Sequence, residues 1–411
     1  MSAPPSFFGK IGEKEIITMC TDAVVVSTEL EHGDLDAGDT STVFNGWINL
    51  PADICNAILD LLGAFDVLSF PLVCKPWAAV YAKNRRLQPG APTLITSPSD
   101  DGWEIPDDYE RGLFSITNIL SSKVFSVEVE GLEYGRWIGG RDEWLVITNV
   151  GATRVQLLNP ITKGCCIDLP DHMAGSFDRV QLCRTPDNAD GYFAIAISLD
   201  NLYYTMVGCD RWITLENPDR YGQSYCDAIV HRGNIISICQ NGDLWSWDLD
   251  QGGRHPKLLM GSSIHTQGWA RFDFILAPSL RDNILIVSPY GEDLPIRMGN
   301  TGPSHSNQYW NFIVHGAVIH ELDNDAQSIA EVRDIGDHAL LLGPNYPLYV
   351  PVSVPTGDLK RNCLYIAALA DHDVVAIDLS LEDIPRNVSL TDYAGLSNPY
   401  QAPMWFRPAF P

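Results

Sequence analysis

Ten cysteines, at positions 20, 55, 74, 165, 166, 183, 209, 226, 239 and 363, and ten histidines are the residues of this 411-residue chain best suited to hold a metal or act as nucleophiles. A zinc cage or a dithiol redox pair needs thiols two residues apart, and no Cys-x-x-Cys occurs, so the thiols read as mostly buried and free. His315 and His320 fall in one predicted strand, where a separation of five places them on opposite faces. The paired carboxylates Asp107-Asp108 and Glu382-Asp383 lie in polar loops, where solvated charge is the ordinary role. No Gly-x-Ser-x-Gly elbow or phosphate-cradling glycine loop occurs. Asn387-Val388-Ser389 matches a glycosylation acceptor, a chance match where no secretory signal is visible. The expectation is a chain without catalytic residues, metal or cofactor.

Charge and hydropathy narrow the partners. Lys and Arg number 27 against 52 Asp and Glu, a net charge of −25 that makes nucleic-acid phosphates and anionic membranes poor partners. No run approaches the roughly 18 apolar residues of a membrane span, and the N-terminus lacks the basic and apolar regions of a signal peptide. The expected location is therefore the nucleus, the cytoplasm or both. With 45% apolar residues the chain has the material for a large core.

Three segments follow from pattern. Residues 1–46 carry Glu13, Glu15, Asp22, Glu29, Glu31, Asp34, Asp36 and Asp39 against Lys10 and Lys14, and read as a largely disordered acidic tail. Residues 47–87 change to helical periodicity. Ile54, Ile58, Leu61 and Leu62 form one apolar stripe, Pro51 suits the first helical position and Gly63 supplies a stop. Asp66 is expected to cap a second helix through Phe70. A third runs from Val73 to Tyr81, with Pro76 in its first turn. Three short helices enclose little interior, so the stripe needs a partner surface. Periodicity alone also fits a core face packed on the β segment.

From 92 to 411 the pattern becomes a succession of short strands with turn signals roughly every 8–12 residues. The clearest unit is "CDAIVHRGNIISICQNGDLWSWDL" (226–249), a meander with turns at Arg232-Gly233 and Asn241-Gly242, the second being the better type I′ dipeptide. Similar units recur at 143–160, 191–215 and 362–379. Four strands per unit point to a mainly β chain built as a β-propeller of about six blades, with five or seven as alternatives and a sandwich as the competing architecture. "APMWFRPAF", near the end of the chain, is expected to close the ring by joining the sheet begun by "PTLIT" (92–96) and "LFSITN" (113–118).

Leu50-Pro51, Asp53-Ile54, Ile58-Leu59, Asp66-Val67-Leu68 and Val73-Cys74-Lys75 followed by Trp77 resemble the F-box motif in order and spacing, with Pro71, Pro76 and Ala78 as departures. "LLNPITKGCCIDLP" (157–170), "DRWITLE" (210–216), the 225–249 meander and "MWFRPAF" (404–410) resemble the domain, long called one of unknown function, that follows the F-box in kelch-related plant proteins. The resemblance implies the substrate-recognition subunit of a Skp-cullin-F-box (SCF) ubiquitin-protein ligase. In that role the F-box binds a Skp-type adaptor, and through it cullin and RING subunits, while the propeller captures a target protein. It implies adaptor contacts at Leu50, Pro51, Ile54, Ile58, Leu62, Val73 and Trp77. The alternatives are an F-box propeller acting without ubiquitination and, more remotely, a propeller hydrolase with a Ser, His and Asp brought together from distant positions.

Target docking is expected at one rim of the ring. Twenty residues, "YGEDLPIRMGNTGPSHSNQY" (290–309), join two paired strands and read as an irregular loop too long for a hairpin. The connection at 261–270 should emerge on the same face. Trp269, Arg271, Arg297 and Trp310 are the candidate contacts, aromatics beside rare positive charge.

Overall fold

A computed structural model describes residues 50–61, 70, 73–83, 92–96, 113–118, 123–128, 135–149, 154–160, 166–171, 177–198, 201–218, 224–253, 255–261, 274–295, 310–323, 328–352, 359–367, 374–380, 388–389 and 403–407. The acidic tail, Leu62, Gly63 and Asp66 lie outside them.

Helix α1 spans Ala52–Leu61 and α2 spans Lys75–Lys83. Pro51 does not take the first helical position predicted for it. It stands one residue before α1, and its carbonyl accepts from the amides of Ile54 (3.0 Å) and Cys55 (3.1 Å). Pro76 is the second residue of α2, in the first turn, where its missing N–H costs nothing.

The β segment forms six sheets. Numbered in chain order, five have four strands: β1 (Thr93–Thr96), β2 (Leu113–Asn118) and β3 (Lys123–Glu128), with β25 (Met404–Phe406) beside β1; β4 (Gly135–Arg141), β5 (Trp144–Asn149), β6 (Val155–Leu158) and β7 (Cys166–Asp168); β8 (Arg179–Arg184), β9 (Phe193–Ser198), β10 (Asn201–Met206) and β11 (Ile213–Thr214); β12 (Tyr225–His231), β13 (Asn234–Cys239), β14 (Leu244–Asp248) and β15 (Lys257–Met260); and β16 (Ile275–Pro278), β17 (Ile284–Pro295), β18 (Trp310–Leu322) and β19 (Ile329–Glu331). Their first strands are β1 (Thr93–Thr96), β4 (Gly135–Arg141), β8 (Arg179–Arg184), β12 (Tyr225–His231) and β16 (Ile275–Pro278). Apart from the pairing of β25 with β1, each is an antiparallel meander in which consecutive strands are neighbours. The sixth sheet departs from the four-strand expectation, running β21 (Leu348–Pro351), β20 (His338–Leu342), β22 (Cys363–Ala367), β23 (Val374–Asp378) and β24 (Val388–Ser389), with β20 parallel to β22.

Sheets succeed one another in a closed ring. The chain's last strand, β25 (Met404–Phe406), pairs antiparallel with β1 through Thr93↔Phe406, Leu94↔Trp405 and Ile95↔Met404, the closure expected from the sequence. Apolar clusters fill each junction. Ile95, Met404 and Phe406 pack on Trp137 and Leu145 of the next sheet, and on the other side Leu94 and Trp405 pack on Leu341, Cys363 and Tyr365 of the sixth. A middle strand is therefore covered on both faces, which is why β9 (Phe193–Ser198) and β13 (Asn234–Cys239) are nearly continuous buried runs. The outermost strands β7 (Cys166–Asp168) and β19 (Ile329–Glu331) are exposed by comparison.

Inner strands approach closely. A Cβ on Gly139 of β4 would stand 1.8 Å from the Val180 carbonyl oxygen of β8, so only glycine fits there, beside a bulge between Trp137 and Gly139.

The two turns of the 226–249 meander exchange the roles assigned to them. Arg232 (φ 49°) and Gly233 (φ 78°) are both left-handed, the type I′ pattern. At the second turn only Gly242 (φ 85°) is left-handed among the two, and its amide donates to the Cys239 carbonyl (2.9 Å). The longer loop between Ile238 and its partner Leu244 accounts for the difference: a type I turn followed by one left-handed glycine spans it.

Candidate protein-interaction surfaces and the ring centre

The helices form a core of four side chains. Cys55 and Leu59, one turn apart on α1, meet Phe70 and Trp77, whose rings stack with centroids 4.5 Å apart. Leu50 and Ile58 are partly buried against this group. Trp77, expected on the adaptor-facing surface, is only 8% exposed, because its ring packs into the cluster of Cys55, Leu59 and Phe70. The outward residues are Pro51, Ile54 (44% exposed) and Val73 (55% exposed). Thus the expected contact set divides into an internal part, Trp77 with Leu50 and Ile58, and an exposed apolar part, Pro51, Ile54 and Val73. Leu62 lies outside the described residues.

At the expected docking rim, strand β17 (Ile284–Pro295) does not end at Tyr290. It pairs with β18 (Trp310–Leu322) from Ile284↔Leu322 to Pro295↔Trp310, so six of the residues read as irregular loop belong to an extended hairpin. Alternating small, acidic and proline residues hid the strand, whose register shifts at Tyr290/Gly291. Trp310 opens β18 opposite Pro295, whereas Trp269, Arg271 and Arg297 lie outside the described residues. Because neighbouring strands run antiparallel, the far end of this hairpin and the start of β16 share one end of the sheet; the β16–β17 turn marks the other.

The ring centre is polar and tightly bonded, and sequence reasoning did not find it. Asp227 of β12 is fully buried. Its carboxylate accepts from Gln181 Nε2 of β8 (2.9 Å), the Ala228 amide (2.8 Å) and the Leu276 amide of β16 (2.9 Å), with Arg179 Nη1 3.6 Å away. One side chain thereby ties three first strands together. The available signal was a lone acid inside the apolar strand "YCDAIV" (225–230).

The turn between β20 and β21 (Leu348–Pro351) reaches into this centre. Arg179 Nη2 donates to the Gly343 carbonyl (3.0 Å), the Tyr346 amide donates to the Gly140 carbonyl (2.8 Å), and the Trp405 amide donates to Asn345 Oδ1 (3.1 Å). The Arg141 guanidinium lies 4.1 Å from the Tyr346 ring centroid while also donating to the Cys183 carbonyl. Burial pushes the Tyr346 phenol well above its ordinary value. On the β4–β5 turn, burial first, then the neighbouring Asp142 and Asp187 carboxylates, pushes Glu143 up to about 7.

Among the described cysteines Cys55, Cys183, Cys226, Cys239 and Cys363 are buried, Cys74 and Cys209 are intermediate and Cys166 is exposed; all are free thiols. His315 and His320 both lie in β18, with His315 at the extra residue of the bulge. No group of three potential metal ligands occurs among the described residues, and none of their helices is long and apolar enough to cross a membrane.

A closed ring of radially arranged, mostly antiparallel sheets defines a mainly β protein of the β-propeller class. The family model described as KIB1-4 beta-propeller matches residues 113–391, more than half of the chain, and the chain belongs to that family. Strands β1 and β25 lie outside the matched residues yet complete the ring. No curated protein matches the chain. A solved structure described as "YCF48 bound to D1 peptide" is similar at 9% identity and a TM-score of 0.32, over 53% of this chain and 60% of that one, so the chain spans less than two thirds of its length.

Proposed function

We propose that this protein is the non-catalytic substrate-recognition subunit of a Skp-cullin-F-box ubiquitin-protein ligase, its helices docking a Skp-type adaptor and its six sheets serving as six blades that present a target protein. The observation that carries the reading is the division of the helical residues. Cys55, Leu59, Phe70 and Trp77 hold the helices together, while Ile54 and Val73 remain 44% and 55% exposed. Covering such side chains gains roughly 1.5–3 kcal/mol each, enough together with polar contacts to hold a complex. The F-box resemblance spans the same residues, and propellers commonly serve as binding platforms. The proposed site of action is the nucleus or cytoplasm.

The test is Ile54→Asp combined with Val73→Asp, which leaves the buried four untouched. Binding of a recombinant Skp-type adaptor, read by calorimetry, should fall at least about a hundredfold, with an unchanged far-UV spectrum. Undiminished affinity in the double variant would overturn the reading.

A further inference from the structure

At the end of the ring carrying the β16–β17 turn, a cavity of about 330 Å³ opens between the fifth and sixth sheets. Its least exposed lining acid is Glu321 of β18, whose side chain is 13% exposed, while Asp334 and Asp337 are exposed. Ser279 Oγ donates to Glu321 Oε1 (2.5 Å), whereas Arg281 Nη1 stands 3.5 Å from Oε2 with its own side chain 76% exposed. Glu321 is therefore a mostly buried carboxylate holding one neutral hydrogen bond and one loose ionic neighbour, a state that favours a further cation. Across the cavity the Tyr349 hydroxyl is buried without a hydrogen-bond partner among the described residues. Burial, then the Glu321 charge, pushes that phenol above its ordinary value, so it stays protonated. Leu285, Val332 and Ile335 add apolar lining, and the exposed Asp334 and Asp337 add two more carboxylates, with Arg361 Nη1 3.5 Å from Asp337 Oδ1.

A cavity whose lining combines apolar side chains, a mostly buried carboxylate and a neutral hydroxyl, with exposed acids beside them, matches an alkyl stem carrying a guanidinium or ammonium. We propose that this cavity takes an arginine or lysine side chain of a partner polypeptide, the cation bonding to Glu321 in place of Arg281. The chain's net charge of −25 supports the choice of a basic partner. The site lies at the end of the fifth sheet opposite the extended hairpin, so it is distinct from the rim first expected to dock the target, and it does not depend on the helices binding an adaptor.

The experiment uses the full chain and fluorescein-labelled pentapeptides Gly-Gly-Arg-Gly-Gly, Gly-Gly-Lys-Gly-Gly and Gly-Gly-Glu-Gly-Gly, read by fluorescence polarisation, with spermidine as competitor. The arginine and lysine peptides should bind and the glutamate peptide should not. Glu321→Gln should weaken binding about tenfold and Tyr349→Phe about threefold, while Arg281→Ala should leave it unchanged or tighter. Thermal unfolding of each variant separates loss of binding from loss of fold, and adaptor affinity measured in parallel separates this site from the helical one. Equal binding by Glu321→Gln in a folded protein, or equal binding of the glutamate peptide, would overturn the proposal. Displacement of the peptides by spermidine at concentrations below the peptide dissociation constant would reassign the cavity to a free polyamine.

Discussion

Glu143 shows how a single side chain makes this fold respond to pH. Its carboxyl is pushed from an ordinary value of 4.5 up to about 7, burial being the larger cause and the Asp142 and Asp187 charges the smaller. Between those two values the folded protein holds a proton that the unfolded chain releases, so stability declines as pH rises through the window. Glu143→Gln removes the proton linkage while keeping the shape. The variant should melt at a higher temperature than the parent at pH 7.5 and at nearly the same temperature at pH 4.5, in scanning calorimetry across that range. A parallel offset at all pH values would assign the effect to packing instead. Nothing in the string "RDEW" (141–144) announces this, since burial is set by the fold and the Asp187 charge comes from more than forty residues away. Asp227 was equally hidden in function though visible as an anomaly: an acid inside an apolar strand signals a buried partner without naming Gln181, Arg179 or the Leu276 amide.

At the scale of elements, what was legible had local causes. Helix α1 followed from apolar spacing, hairpins from Arg-Gly and Asn-Gly pairs, and the meanders from alternating segments joined by short turns. The type of each turn was not legible, because the register of Ile238 with Leu244, set by the whole hairpin, decided where the left-handed residues fell. The parallel pairing of β20 with β22 was hidden because β21, consecutive with β20, pairs on its other side, and no local pattern in either strand distinguishes the two neighbours. Closure by β25 was legible because "MWF" is a dense apolar run at the end of a chain whose first β sheet lacked a partner. Met404, Trp405 and Phe406 are all at most 1% exposed, and Trp405 Nε1 donates to the Leu342 carbonyl (2.9 Å). Burying three such side chains contributes about 5 kcal/mol or more, comparable with the whole net stability of many domains. Deleting residues 403–411 should therefore abolish the cooperative thermal transition, and Trp405→Ala should lower its midpoint by at least about 5 °C. A cooperative transition at the parental temperature after the deletion would mean that the ring does not need its closing strand.

For the whole molecule the dominant quantity is charge. Several ion pairs among the described residues, such as Arg154 with Asp168 (2.5 Å) and Arg232 with Asp282 (2.5 Å), are exposed and contribute little individually. They also use up cations: with 27 basic residues against 52 acids, at least 25 carboxylates have no basic residue to pair with. A compact ring concentrates that repulsion and an unfolded chain relieves it, so screening should favour the folded state. Raising NaCl from about 10 mM to about 300 mM shortens the Debye length from roughly 30 Å to under 8 Å, less than the width of a blade. The melting temperature is expected to climb by several degrees over that interval and then level off. Loosening exposed ion pairs works in the opposite direction, but each is worth at most about 1 kcal/mol and screening acts on the larger, unpaired set of carboxylates. A melting temperature that falls with added salt would show that paired charges, rather than the net excess of acids, govern the stability of the ring.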